Sequence, residues 1–505
     1  MAVHLAPADM AVIVVYFGAV LLIGFLTARK SGDIAEYLLA GRSLTTPVFV
    51  MTLVSTWYGG ILGVGEFSYL YGISNWFIQG LPYYIFALVF ALILARRVRA
   101  TSFATIPDKL QDAYGRPTAV LGGILTFLLM TPAPYILMIA VLLQLVTGWS
   151  YLLCVVLGTL ATTAYLYAGG FRSDVNTDIL EFFLMFIGFA VILPFAYAKF
   201  GGWEFIRGHV PPLHLTWNGG NTVQFVVVWF FIALWTLVDP SFHQRCYAAK
   251  TPAVAQRGIL ISILFWILFD AMTATAGLYA RAALPGLEQP VMAYPLLAEA
   301  ILPPLAKGLF YVGMLATIMS TLNTLAFVSA TTLGRDIIWR LSVHTTTGVP
   351  APGRSPSAGN MKGESPPVGS VLPSGGVPRE DLERLWTQRG LLIAGVVSVA
   401  LALAVPSVIK IWYTIGTVII PGLLIPLVTA YFPRLMVKPR YAFFCMLSGW
   451  LVSLFWLLAG WSQQLGASAS YPLGIEPMYP GLAASLLVWG TGLVARSPDS
   501  PGASQ

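Results

Sequence analysis

Apolar stretches long enough to cross a bilayer recur along the whole of this chain, with polar residues gathered between them. About 20 consecutive apolar residues make one helical crossing. Thirteen such stretches can be placed, at about 10–28, 46–71, 75–95, 117–147, 149–168, 179–198, 222–238, 258–281, 303–333, 390–406, 408–432, 441–461 and 477–495. The pattern predicts an all-α integral membrane protein of about 13 transmembrane helices. Nearly the whole of residues 1–498 forms one transmembrane domain, with the bilayer as its solvent. The first run follows nine residues without Lys or Arg and lacks a cleavage-site pattern, so it reads as a retained span and not a signal peptide.

Residues 342–378 hold 20 Pro, Gly and Ser among 37 positions, with no apolar periodicity. That composition predicts a largely disordered loop over 342–388. A short tail follows at 499–505.

Composition agrees with the pattern. The chain is 57% hydrophobic and only 10% charged, against roughly 25% charged in soluble domains. In a membrane protein the formal charge of +7 bears on topology and calls for no nucleic acid, because Lys and Arg gather in cytoplasmic segments. With the N-terminus outside, 23 of the 28 basic residues fall in cytoplasmic segments, and Lys199, Arg207, Arg281, Lys307 and Lys410 do not. An odd number of spans then leaves the C-terminus in the cytoplasm. The three cysteines, Cys154, Cys246 and Cys445, lack metal-ligand spacing and read as core thiols.

Two places stand out as chemistry. The second span reads Ser55-Thr56-Trp57-Tyr58-Gly59-Gly60 at its centre, and paired glycines are poor helix interior. A break there frees backbone carbonyls, which are hard oxygen ligands for a cation, although glycines also serve close helix packing. In the ninth span Thr317, Ser320 and Thr321 stand at i, i+3 and i+4 and share one face. They could complete an oxygen shell, or each could bond its own i−4 carbonyl.

Taken together these features resemble the sodium:solute symporter family. The resemblance runs to about Arg440. It rests on Gly41-Arg42-Ser43-Leu44, Gly72-Ile73-Ser74, Ile106-Pro107, Gly169-Gly170, Thr177-Asp178, Gln244-Arg245, Met319-Ser320-Thr321, Arg335-Asp336 and Pro421-Gly422, in that order. It implies a LeuT-like 5+5 inverted repeat, about 46–198 and 222–432, and sodium-coupled symport of a small organic solute by alternating access at the plasma membrane. Sodium is then the coupling ion, with no other cofactor, and the partners are solute, sodium and lipid bilayer. By position, the family's sodium site falls on the carbonyls of Ser55 and Tyr58 and the hydroxyls of Thr317, Ser320 and Thr321. A gating or ion-exit role falls on Asp178. Three departures are visible: Asn323 stands where many relatives have Asp, Asp239 stands where choline-type members have Trp, and no glycine marks the break expected in the seventh span, at Val226 to Val238.

Acids inside spans are costly and are therefore functional candidates. Three are singled out: Glu66, placed toward the outer vestibule; Asp239, placed near the cytoplasmic interface; and Asp270, halfway along its span. Trp266 precedes Asp270 by one turn and, with Gln79 and Tyr413, matches pocket positions of sugar-transporting relatives. Trp57, Gln79, Trp266, Asp270 and Tyr413 thus make a candidate solute site, whose aromatic wall and acid suit an amine, an amino acid or a quaternary ammonium compound. A neutral Asp270 bonded to its neighbours is the bland alternative. Two other functions compete: a proton-coupled carrier using Asp270, and a transporter-fold membrane sensor. Catalytic residues are not expected, since the five histidines do not cluster and His243 reads as interfacial.

Overall fold

The computed structural model describes residues 3–28, 34–342, 379–404, 408–461 and 471–495. It is built of helices, and among the described residues strand pairing is limited to one isolated bridge, Leu44 with Ala249. Among the described residues ten helices are long and apolar enough to cross a membrane, and one bent pair makes an eleventh.

Two further predicted spans fall on helices that this count does not separate or include. Helix Tyr151–Phe200 has 50 residues, about 75 Å at 1.5 Å per residue, more than twice the roughly 30 Å hydrocarbon thickness. It is interrupted at Gly170, whose φ of 57° and ψ of −144° are not helical. A Cβ there would lie 2.5 Å from the Tyr37 carbonyl, so both the turn and the contact require glycine. Met478–Val494 is a 17-residue apolar helix at the end of the described chain.

The bent pair is the second span, Thr46–Trp57 and Ile61–Tyr71, which meet at 58°. Gly59 and Gly60 lie in the break and also make close helix contacts. A Cβ on Gly59 would lie 2.2 Å from Thr321 Oγ1, and one on Gly60 would lie 2.0 Å from the Trp412 ring. The seventh span is broken too, into Val223–Ile232, Trp235–Val238 and Pro240–Ala248. Its break uses no glycine. Asp239 is extended and caps the last segment, accepting from the Ser241 and Phe242 N–H groups, and Pro240 takes the first helical position. An acidic N-cap followed by proline is a strong helix start.

The ninth span, Ala306–Thr331, is buried on all sides. It packs closely against the 50-residue helix, where Gly313 meets Gly188. Beyond it, at the Ser342 end, Asp108 receives Arg335 at 3.1 Å and Arg340 at 2.7 Å, and Arg335 also reaches Glu383 at 3.0 Å. Burial would raise the Asp108 carboxyl, but the two guanidiniums outweigh it and hold it at about 2. Glu383 belongs to helix Arg379–Ala404, which starts well before the predicted span at 390. The rest of the predicted loop, 343–378, and the tail from 496 lie outside the described residues.

Candidate functional site

The break in the second span abuts the hydroxyl face of the ninth. Thr321 Oγ1 donates to the Thr56 carbonyl at 2.5 Å. Ser320 Oγ donates to Asp178 Oδ1 at 2.8 Å. Thr317 Oγ1 donates to its own i−4 carbonyl, Gly313, at 2.6 Å, so the local back-bond expected of membrane hydroxyls is made here. Each hydroxyl is a donor in these bonds and keeps oxygen lone pairs free. Ser55 and Tyr58 flank Thr56 in the same buried turn. This is a set of hard oxygen donors with one carboxylate alongside, the chemistry that suits a small hard cation.

The sequence reading missed the centre of this region. Arg245, assigned there to a cytoplasmic loop, is fully buried, and its Nη2 donates to Thr56 Oγ1, Thr324 Oγ1 and Asp178 Oδ2 at 2.5, 2.9 and 3.0 Å. Asp174 Oδ2 lies 3.8 Å away. Membrane acids were also undercounted: Asp174, Asp178 and Glu181 stand at i, i+4 and i+7 of one helix, each with no exposed surface. Glu181 takes its hydrogen bond from Tyr16 of the first span at 3.0 Å. The signal available was the run of polar residues after Gly170, which lowers hydropathy enough to look like a loop.

Next to this cluster is a cavity of about 140 Å³, lined by Trp57, Tyr58, Gln79, Tyr84, Asp270 and Trp412 among others. Gln79 projects from a wide π-helical turn, Trp76–Gly80, a device common at functional sites. Asp270 Oδ2 accepts from Tyr84 Oη. Among the described lining residues there is no Lys, Arg or His.

Four expectations need correction. Asp239 is not solvated at an interface: it is 5% exposed and lines this cavity. His243 is likewise not interfacial; it is buried, with Nδ1 3.0 Å from the Asp239 carbonyl. Trp266 is not a lining residue, but stands behind Trp57 with ring centroids 5.6 Å apart and gives its carbonyl to Tyr58 Oη. Tyr413 points away and bonds Glu476, while its neighbour Trp412 faces the cavity. Adjacent helical residues differ by about 100° in direction, so a one-residue offset exchanges one for the other. Glu66 is half-buried in the second half of the broken span. The cysteines are buried and free.

An all-helical membrane bundle with two broken helices beside a buried polar cavity has the architecture of a secondary transporter. The chain belongs to the Sodium:solute symporter family, whose profile matches residues 37–345. It is 28% identical over 341 residues to the sodium/pantothenate symporter of Haemophilus influenzae, covering 64% of this chain and 69% of that one. With high-affinity choline transporter 1 of Drosophila melanogaster it shares 23% identity over 489 residues, covering 90% and 71%. The fold matches a Na+-coupled sialic acid symporter, solved substrate-bound and outward-open, with a TM-score of 0.73 at 14% identity over 97% of each chain. The chain is therefore a sodium-coupled solute symporter and not an enzyme, with sodium as its coupling ion.

Proposed function

We propose that this symporter carries a small organic cation, an amine or a quaternary ammonium compound, by alternating access. Sodium is held by the carbonyls of Ser55 and Tyr58 with the hydroxyls of Thr317, Ser320 and Thr321, and the solute lies against Trp57, Gln79 and Asp270. The observation that carries this reading is the cavity lining, in which a carboxylate and aromatic faces meet no described basic side chain. A cation gains there from charge pairing and from the ring faces. A carboxylate solute such as pantothenate would face Asp270 with no fixed cation to offset it. A choline-carrying relative that aligns with 90% of this chain supports the same choice.

In this arrangement Tyr84 positions Asp270, Trp266 backs Trp57, and Asp178 with Arg245 links the ion side to the short helix after the seventh-span break. The two repeats move about the breaks, exposing the cavity to each face in turn. The charge bias of the loops supports an N-terminus outside and a C-terminus in the cytoplasm.

The test is Asp270→Asn in the purified full chain, screened by thermal shift against choline, other amines, sugars and carboxylates, in sodium and in potassium. Wild type should be stabilised by amines in sodium. The variant should lose at least about tenfold in amine affinity, the effect of one charged hydrogen bond of roughly 1.4 kcal/mol, while sodium alone still stabilises it. A variant that keeps amine affinity and loses sodium binding would move Asp270 to the ion site.

A further inference from the structure

The cavity has a second carboxylate that one positive charge leaves unanswered. Asp239 and Asp270 both line it, at 5% and 6% exposure. They come from different elements, the seventh-span break and helix Pro252–Ala283. Both elements touch the Trp57 ring: Phe242, three residues after Asp239, has its centroid 5.2 Å away, and Trp266, four before Asp270, lies at 5.6 Å.

Each acid is anchored by neighbouring donors while it lines the cavity. Asp239 Oδ1 accepts from the Ser241 N–H at 2.7 Å, the Ser241 hydroxyl at 2.5 Å and the Phe242 N–H at 3.1 Å. Three converging donors fix the carboxylate in place. Among the described residues Oδ2 has no hydrogen-bond donor, although Asp239 is nearly buried. At Asp270, Oδ2 is held by Tyr84 while the residue lines the cavity. Arg245 lies on the same short helix as the Asp239 cap, but its guanidinium is engaged by Asp178, Thr56 and Thr324.

We infer that the solute carries two positive charges, one for Asp239 and one for Asp270, as a short aliphatic diamine does. This rests on the reading of the cavity as the solute site. Closure around a monocation would seal one carboxylate from water without a partner, and an unpaired buried charge is strongly unfavourable. Closure around a diamine pairs both, with the methylene spacer against Trp57.

Isothermal titration of the full chain in sodium would compare 1,4-diaminobutane, butylamine, choline and 4-aminobutyrate. The diamine should bind at least about tenfold tighter than butylamine, and 4-aminobutyrate weakest. Asp239→Asn keeps the helix cap, because Asn and Asp are equivalent N-caps. It should abolish the preference for the diamine while leaving butylamine within about threefold. Butylamine binding as tightly as the diamine in wild type, or a preference that survives Asp239→Asn, overturns the inference and leaves the monocation reading standing. Binding of no amine at all overturns both.

Discussion

Arg245 and Asp178 form an ion pair at 3.0 Å with neither side chain exposed, joining the short helix after the seventh-span break to the long helix that packs on the ninth span. The same guanidinium holds Thr56 in the second-span break. One side chain therefore ties both breaks to the hydroxyl face proposed to bind sodium. Arg245→Met leaves Asp174 and Asp178 without their cation, and breaking a buried pair in this way costs about 3–5 kcal/mol. The detergent-purified variant should melt well below wild type. Adding Asp178→Asn should restore part of the loss, since it removes one of the unpaired charges. A single variant as stable as wild type would show that the guanidinium is not what holds these helices.

What the sequence disclosed depended on which physical signal each feature carries. Gly59 and Gly60 announce the second-span break because paired glycines are visibly wrong inside a helix. The seventh-span break escaped because glycine was the signal sought, whereas Asp239 and Pro240 start a new helix by capping. Asp174 and Asp178 fall between the predicted spans because hydropathy averages over neighbours. Their burial depends on partners such as Arg245, 67 residues from Asp178, and pairing at that distance leaves no local trace. Trp412 and Tyr413 differ only in helical phase, which a family resemblance fixes no better than its alignment.

The Asp108 cluster carries a pH signature. Arg335 and Arg340 hold this acid at about 2, below the roughly 3.9 of a free aspartate. A lowered acid contributes stability that is present above the free value and lost as pH falls through the folded one. Asp108→Asn should thus lower the melting temperature at neutral pH, and its gap from wild type should persist down to about pH 4 and close between about pH 4 and 2. A gap that closes between pH 8 and 5 would assign the effect to another group.

Orientation can be tested at Lys362, which lies outside the described residues in the segment between the ninth span and helix Arg379–Ala404. The bias of basic residues places that segment in the cytoplasm. Lys362→Cys should resist an impermeant thiol reagent on intact cells and react after permeabilisation. The three native cysteines are buried, which keeps the background low. Labelling of intact cells would invert the topology.

Coupling is the most direct test of the sodium site. One sodium entering down a tenfold gradient and about 100 mV releases on the order of 1.4 plus 2.3 kcal/mol, enough for several-hundred-fold accumulation of a neutral solute at one-to-one stoichiometry. The energy reaches the solute only if sodium binding alters solute affinity or access, and at equilibrium the solute must alter sodium affinity by the same factor. Thr321 and Ser320 are placed to transmit that linkage, since one bonds the Thr56 carbonyl in the break and the other bonds Asp178. Ser320→Ala with Thr321→Ala should raise the sodium concentration for half-maximal uptake in proteoliposomes by at least about tenfold, as expected for roughly 1.4 kcal/mol of lost coordination. Solute affinity should recover in part at saturating sodium, because Trp57, Gln79 and Asp270 still line the cavity. Normal uptake by the double variant at low sodium would remove these hydroxyls from the ion site, and wild-type uptake that follows a proton gradient with sodium absent would replace sodium by protons as the driving ion.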